Sequence, residues 1–173
     1  LKDRRWGQVL VFVKTRKGVD ELVSQLLAKK IKADAIHGDK PQPARLRALE
    51  SFKAGEIQIL VATDVAARGL DIVAMSHVFN FDVPYSPEDY VHRIGRTARA
   101  GTSGDSISFA CETYAFSLPE IEAYIGHRIP TGSVGSDLFE GVKIPPWQPR
   151  KYPPAGGRPP RRGGPGGGGG KRP

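Results

Sequence analysis

The densest group of basic side chains lies within residues 90–101. Four of them fall within eight residues: His92, Arg93, Arg96 and Arg99. The arginines recur at every third position, and on a helix this spacing predicts a row of cations facing one ligand. Guanidinium groups fork onto phosphate oxygens and stay charged when desolvated, which favours a phosphate ligand. The competing interpretation is a solvated basic helix face, but the small residues between the arginines allow close approach of backbone or ligand.

A second candidate segment follows a predicted strand that ends at Ala62. Thr63 and the amides after it stand at a predicted helix start, where they can hold a phosphate. Asp71 lies eight residues beyond Thr63 and can accept a hydrogen bond from a sugar hydroxyl. The alternative for Asp71 is a cap on the next turn.

Short apolar runs alternate with amphipathic stretches over most of the chain. Continuous apolar runs predict strands buried on both faces, and apolar residues at helical spacing predict the helices between them. This alternation predicts an α/β fold with a parallel central sheet and helices on both faces. The predicted strands are 8–13, 33–36, 57–62, 77–81 and 104–110, and the predicted helices are 17–29, 41–52, one starting at 86, and 118–125.

Polar side chains follow these strands at their carboxyl ends, where a parallel α/β sheet places its ligand site. We therefore expect the two candidate segments to meet at that edge of the sheet. The segments that follow the strands are 14–16, 37–39, 63–71 and 82–84.

The positive charge is confined to the C-terminal tail. Residues 1–141 hold 18 Lys and Arg against 18 Asp and Glu, whereas residues 142–173 hold eight Lys and Arg and no acid. The tail also contains nine Gly and nine Pro, so it cannot bury enough apolar surface to offset its ordering cost, and we expect it to be disordered. Trp147, Tyr152 and the arginines suit binding to a nucleic acid, through its phosphate backbone and by base stacking, and a solubilising linker is the alternative.

Composition excludes several classes of protein. No apolar run approaches the roughly 18 residues of a membrane span, and no secretory signal opens the chain. The single Cys111 excludes an internal disulfide and a cysteine-only metal site, and we expect no metal site and a cytoplasmic location. The chain begins at Leu1 rather than Met, which indicates a piece of a longer protein.

Five ordered motifs resemble motifs IV, IVa, V, Va and VI of the second RecA-like domain of DEAD-box RNA helicases. The resemblance covers roughly residues 8–127 and implies a RecA-like three-layer fold for residues 1–141, the helicase C-terminal domain. Ala98 and Leu46 depart from the usual family pattern without removing an implied contact. The motifs are Phe-Val-Lys-Thr (12–15), Gln-Pro-Ala-Arg (42–45), Ala-Thr-Asp-Val-Ala-Ala-Arg-Gly-Leu-Asp (62–71), Asn-Phe-Asp-Val-Pro (80–84) and His-Arg-Ile-Gly-Arg-Thr-Ala-Arg (92–99).

The resemblance implies roles for the nucleotide-facing residues. It makes Arg96 and Arg99 arginine fingers that reach the γ-phosphate of ATP, and it places Asp71 and Gly69 at the nucleotide, with Asp71 on the ribose. His92 would couple the nucleotide to the first domain, and Arg93 would support the interdomain network. The RNA backbone track would be lined by Thr15, Gly38, Gln42, Arg45, Thr63 and Arg68.

The family's other nucleotide motifs are absent from this sequence, which has no P-loop and no Asp-Glu-Ala-Asp quartet. The resemblance therefore implies that ATP and Mg²⁺ are bound mainly by an N-terminal RecA-like domain in cis. The whole protein would be an RNA-stimulated ATPase that unwinds short RNA duplexes. We expect this chain to be inactive without that domain.

The stretches 106–112 and 118–127 resemble a bacterial subfamily that works in RNA degradation within a degradosome. That resemblance implies an RNase E-type endoribonuclease as a partner. A non-catalytic module that docks RNA or a protein partner is the alternative function, and a DNA translocase is disfavoured by the wording of motifs V and VI. Residues 118–128 are either a partner surface or ordinary cover for the sheet.

Overall fold

Successive side chains of a strand point to opposite faces of the sheet, so the apolar residues of the buried strands lie in two separate cores. The computed structural model describes residues 7–70, 72, 75–97, 104–111 and 114–132. Within them the strands are β1 (Val9–Phe12), β2 (Ala33–Ile36), β3 (Ile59–Ala62), β4 (His77–Asn80) and β5 (Asp105–Ser108). The helices are α1 (Arg16–Ala28), α2 (Gln42–Lys53), α3 (Asp64–Ala67), α4 (Pro87–Ile94) and α5 (Leu118–Ile125), and a 3-10 turn spans Ala115–Ser117.

These five strands form one parallel sheet in the order β2-β3-β1-β4-β5. β1 is central, and its Val9 is in register with Ile59 of β3 and with His77 of β4. β1 and β3 are buried along their whole length, as their continuous apolar sequences predict. The predicted RecA-like α/β fold is confirmed.

The two faces of the sheet pack against different helices. Leu10 and Phe12 lie in one core with Phe52 of α2, and Val9 and Val11 lie in the other with Val19 of α1. This division follows from the two-residue period of a strand. Helices therefore cover both faces, and the carboxyl edge of the sheet is left for the loops that carry the candidate residues.

The five predicted strands and four predicted helices are all present, with small differences at their ends, and the structure adds the short helix α3. β2 and α5 have the predicted bounds, whereas the other strands are shorter than their apolar runs. Each ladder pairs four residues, and flanking residues such as Val13 and Phe81 bond to the neighbouring strand only through their backbone N–H. The short helix α3 was expected only as a helix start after Thr63.

Helix α5 packs mainly on α4 rather than on the sheet itself. Ile121 of α5 is fully buried with Val83 and Tyr90 in a third, smaller apolar cluster. Gly126 ends α5 in the left-handed conformation at φ 77°, which a residue with a Cβ adopts at a cost. This packing sets the start of α4 beside α5.

The chain divides into two compact units, Leu1–Pro130 and Thr131–Pro173. Of the second unit only Thr131 and Gly132 are described, so the predicted disordered tail lies outside the described residues, and the boundary predicted at 141/142 stays a prediction. No helix in the described ranges is long and apolar enough to cross a membrane. Cys111 is exposed with a free thiol.

Candidate functional site

Arg93 is the most strongly bonded basic side chain at the carboxyl edge of the sheet. Its side chain is only 3% exposed, and its Nε and Nη2 donate to the two carboxylate oxygens of Asp64 at 2.6 Å each. Its Nη1 donates to Asn80 Oδ1 at 3.2 Å and to the Asp82 carbonyl at 2.6 Å. The guanidinium carbon also lies 5.1 Å from the centre of the Phe12 ring. Arg93 thus joins the ends of three neighbouring strands through contacts within its own chain.

The prediction that Arg93, Arg96 and Arg99 form a row on one helix turn is wrong for the first two. α4 ends at Ile94, so Arg96 lies beyond the helix, and Arg93 points into the protein instead of outward. The inward direction follows from the buried residues of α4, Pro87, Tyr90 and Arg93, which recur every third position. Arg99 lies outside the described residues.

The segment that carries Arg96 is held by an isolated parallel bridge between Met75 and Thr97. Met75 N donates to the Arg96 carbonyl at 3.1 Å, and Thr97 Oγ1 donates to the Ile94 carbonyl at 2.8 Å. The Arg96 guanidinium is half-buried and makes one long hydrogen bond, 3.5 Å from Nη1 to the Leu70 carbonyl. This contact places Arg96 beside the turn that leads to Asp71.

A cleft between α3 and α4 brings together three residues of the predicted site, His92, Arg93 and Arg96. Arg68, at the end of α3, is ion-paired with Asp89 of α4. His92 is exposed at the cleft. The lining consists of Phe12, Asp64, Ala67, Arg68, Asp89, His92, Arg93 and Arg96.

The arginines of this cleft differ in whether they form an ion pair. Asp64 pairs with Arg93 and Asp89 pairs with Arg68, but no carboxylate among the described residues pairs with Arg96. Among the described residues, Arg96 is therefore the cleft arginine without a carboxylate partner. No group of three His, Cys, Asp or Glu side chains in the described ranges is arranged to hold a metal ion.

The backbone conformation of the turn after α3 accounts for a glycine at position 69, which the family resemblance places at the nucleotide. Gly69 has φ 83°, a conformation that favours glycine whether or not a ligand is near. Asp71, the predicted ribose contact, lies outside the described residues. The structure therefore places Gly69 and Leu70 near Arg96 and leaves the role of Asp71 a prediction.

The predicted RNA residues lie in three groups after β1, β2 and β3. Thr15 is the N-cap of α1, where its Oγ1 accepts from Gly18 N at 3.0 Å. Gly38 lies against Arg16, whose guanidinium would be 3.5 Å from a Cβ at position 38. These residues share one edge of the sheet because all three strands are parallel.

The residues after β2 and those after β3 differ in their exposure to solvent. Arg45 Nη1 donates to Gln42 Oε1 at 3.0 Å on the first turns of α2, and Gln42 is exposed. Thr63 is 9% exposed and precedes α3. Arg68 lies in the cleft with His92 and Arg96 instead of with Thr15 and Gly38, so the structure groups it with the nucleotide-facing residues. The RNA roles of all six residues stay predictions.

No role was predicted from the sequence for the side chains and carbonyl that accept hydrogen bonds from Arg93. Asp64, Asn80 and Asp82 were read only as parts of motifs. One of these acceptors could have been found from the sequence. A buried arginine needs a carboxylate partner, and Asp64 lies just after β3, the strand next to β1. Their partner lies up to 29 residues away, a separation that no local pattern reveals.

Comparison with known proteins shows which family has this arrangement. Residues 1–101 match the family described as helicase conserved C-terminal domain. The chain belongs to this family. The matched residues include β1 to β4, the cleft and the motif that carries Arg93 and Arg96.

Two bacterial RNA helicases are similar in sequence to this helicase C-terminal domain. It is 50% identical over 155 residues to ATP-dependent RNA helicase RhlB of Shewanella sp. strain W3-18-1, covering 88% of this chain and 35% of the relative. RhlB of Aliivibrio fischeri strain MJ11 is 50% identical over 147 residues, covering 84% and 34%. The chain thus spans about a third of the length of these curated relatives. The predicted DEAD-box family is confirmed, and so is the predicted resemblance to the bacterial helicase RhlB.

Solved structures agree with the sequence relatives. Escherichia coli DEAD-box protein SrmB, solved bound to regulator of ribonuclease activity A, has a TM-score of 0.73 and 37% identity, covering 84% of this chain and 85% of that chain. A DEAD box protein from Methanococcus jannaschii has a TM-score of 0.68 and 41% identity, covering 74% and 35%. The helicase C-terminal domain therefore has the DEAD-box fold as well as the DEAD-box sequence motifs.

Proposed function

We propose that this domain is the C-terminal half of an ATP-dependent RNA helicase and that it supplies Arg96 to the γ-phosphate of ATP. The observation that carries the proposal is the charge of the cleft, where Arg68 and Arg93 are paired with carboxylates and Arg96 has no carboxylate partner among the described residues. A half-buried guanidinium of this kind is suited to stabilise the charge of a transferring phosphoryl group. By the family resemblance Arg99 acts beside it.

The residues present fit one side of a nucleotide but not its metal. Arg96 offers unused donors next to the Gly69–Leu70 turn, and by resemblance Gly69 and Asp71 face the nucleotide there. The described ranges offer no cluster of ligands for Mg²⁺, so the metal and the triphosphate are assigned to an N-terminal RecA-like domain in cis. When bound there, Mg²⁺ neutralises charge on the phosphates.

RNA is proposed to lie across the carboxyl edge of the sheet. Thr15 follows β1, and Gly38, Gln42 and Arg45 follow β2, the two strands on either side of β3. They offer a hydroxyl, backbone and basic or amide donors. Donors of this kind contact phosphate and sugar rather than base edges. We therefore propose binding of single-stranded RNA without sequence selection, to which Thr63 and Arg68 contribute.

Closure of two RecA-like domains over ATP and RNA would join the halves of the site. His92, exposed at the cleft, is proposed to contact the first domain, and Arg93 is proposed to support it by fixing α4 against α3. Because the chain lacks the triphosphate-binding motifs, we propose that it is inactive by itself. A cytoplasmic role in RNA degradation is proposed from the RhlB relatives.

The experiment compares the chain with the longer protein that contains the N-terminal domain. We expect the longer protein to hydrolyse ATP when single-stranded RNA is added and to separate a short RNA duplex, and we expect the chain alone to do neither. Phosphate release and displacement of a labelled strand are the measurements. If the longer protein binds RNA but shows no RNA-stimulated hydrolysis, the docking module is favoured instead.

The alternative function is a module that docks a ribonuclease. An RNase E-type endoribonuclease is the proposed partner, supported by similarity to RhlB and by the neighbour SrmB, which was solved bound to regulator of ribonuclease activity A. Docking and ATP hydrolysis are compatible, because they require different surfaces. Loss of partner binding without loss of ATP hydrolysis would separate them.

A second experiment tests the basic tail. Removal of residues 142–173 removes eight cations, so we expect weaker RNA binding and a weaker dependence of affinity on salt. Each lost phosphate contact lowers the slope of log affinity against log salt by about 0.7 for a single strand. Fluorescence anisotropy with a labelled oligouridine at several salt concentrations measures it. An unchanged slope would reduce the tail to a linker.

A further inference from the structure

A groove separates the start of α4 from the outer face of α5, away from the Arg96 cleft. It encloses about 520 Å³. Two aromatic and two acidic side chains dominate its surface. The lining residues are Tyr85, Ser86, Pro87, Glu88, Glu120, Ala123 and Tyr124.

The two aromatic rings of the groove are large and exposed, and one of them already contacts a cation. Tyr124 is 57% exposed and Tyr85 is 49% exposed. The Lys14 ammonium lies 3.6 Å from the centre of the Tyr85 ring, and the Phe116 ring is stacked with Tyr85 at 5.6 Å. These contacts hold Tyr85 in place, and Tyr124 is the more exposed ring for a partner.

The acids of the groove form no ion pair with any described residue. In the part of the chain that the structure describes, neither Glu88 nor Glu120 is ion-paired, and no lysine or arginine lines the groove. The hydroxyl of Ser86 donates to Glu88, and this bond, with the backbone N–H at the helix start, holds the pKa of Glu88 below its usual value. Glu88 is therefore charged at neutral pH.

We propose that this groove binds an arginine-rich segment of a partner protein. A guanidinium group stacks on a tyrosine face and forks onto a carboxylate, and the groove offers both types of side chain together. RNA would be repelled by Glu88 and Glu120, and an apolar segment would leave both carboxylates without partners. The proposal does not rest on ATP hydrolysis, because the groove and the Arg96 cleft share no lining residue.

The position of α5 agrees with this partner surface. Ile121 points into the core, so one face of α5 is structural, while Glu120, Ala123 and Tyr124 face the groove. Residues 118–128 were interpreted either as a partner surface or as ordinary cover. The two roles are compatible, because they use opposite faces of α5.

The test uses the whole chain and a short fluorescent peptide of alternating arginine and serine, followed by anisotropy at low salt. Glu88→Gln with Glu120→Gln is expected to weaken binding about three- to tenfold, because each exposed ion pair contributes about 0.2–1 kcal/mol. Tyr124→Ala is expected to weaken it about two- to fivefold through the lost stacking. The matching lysine peptide should bind more weakly than the arginine peptide, since lysine cannot fork.

The control pair is Glu21→Gln with Glu50→Gln, which removes the same two charges from exposed positions of α1 and α2. An equal loss of affinity in this pair would assign peptide binding to overall charge and overturn the proposal. Competition by oligouridine that depends on Glu88 and Glu120 would also overturn it, because it would make the groove an RNA surface. The glutamine variants keep the side-chain shape, and an unchanged melting temperature shows that their fold is intact.

Discussion

Arg96→Ala, made in the longer protein with its N-terminal domain, is expected to lower RNA-stimulated ATP hydrolysis by about a thousandfold. An arginine finger contributes roughly 10³–10⁵ in rate by stabilising charge on the transferring phosphoryl group. Affinity for single-stranded RNA should stay within a few fold, because Arg96 lies in the cleft and not with Thr15 and Gly38. Phosphate release under saturating ATP and RNA measures the first quantity, and anisotropy measures the second.

Two further variants give this prediction its controls. Arg96→Lys keeps the charge but not the forked donors, so it should recover little of the lost rate. Arg128→Ala removes an exposed arginine beyond α5 and should leave the rate unchanged. Near-normal hydrolysis by Arg96→Ala would contradict the finger assignment, whatever its effect on RNA binding.

Arg93→Met is expected to lower the free energy of unfolding by about 3 kcal/mol. The change removes four hydrogen bonds and leaves Asp64 without its partner, although Asp64 is 26% exposed and water relieves part of the cost. In a domain of this size the loss corresponds to a fall in melting temperature of roughly 10 °C. Thermal denaturation followed by circular dichroism measures it.

Arg68→Met provides the matched control. Its ion pair with Asp89 lies in the same cleft, but the Arg68 side chain is 59% exposed, so its loss should cost no more than about 1 kcal/mol. Asp64→Asn combined with Arg93→Met should cost less than the two separate losses added together, because both changes remove the same interaction. Equal melting temperatures for Arg93→Met and Arg68→Met would show that burial of the Arg93 network adds no stability.

Much of the fold could be predicted because its signals are local. The continuous apolar run of β1, the bounds of β2 and the helical spacing of α5 all lie within single segments. The strand order could not be predicted from these patterns. β1 pairs with β3 and β4, and every strand of this sheet has four residues, so strand length does not select partners.

The described candidate residues lie at the predicted edge of the sheet, but the orientation predicted for one arginine is wrong. The polar ends of parallel strands meet at one edge, and this rule brought Thr15, Gly38 and Thr63 to the same side. The three-residue spacing of the arginines was read as an exposed row. The same spacing continues the buried stripe of Pro87 and Tyr90, so Arg93 is inward, and its partner Asp64 could be recognised only in three dimensions.

The central position of β1 has a consequence for synthesis on the ribosome. β1 leaves the exit tunnel first among the described strands, yet Val9 must wait for Ile59 and His77 before both of its edges are paired. The bond from Lys14 N to Asp82 Oδ2 spans 68 positions and closes only after that. A nascent chain stalled before β4 would leave one edge of the apolar strand β1 unpaired, which makes this stage a point where chaperones or aggregation compete with native folding.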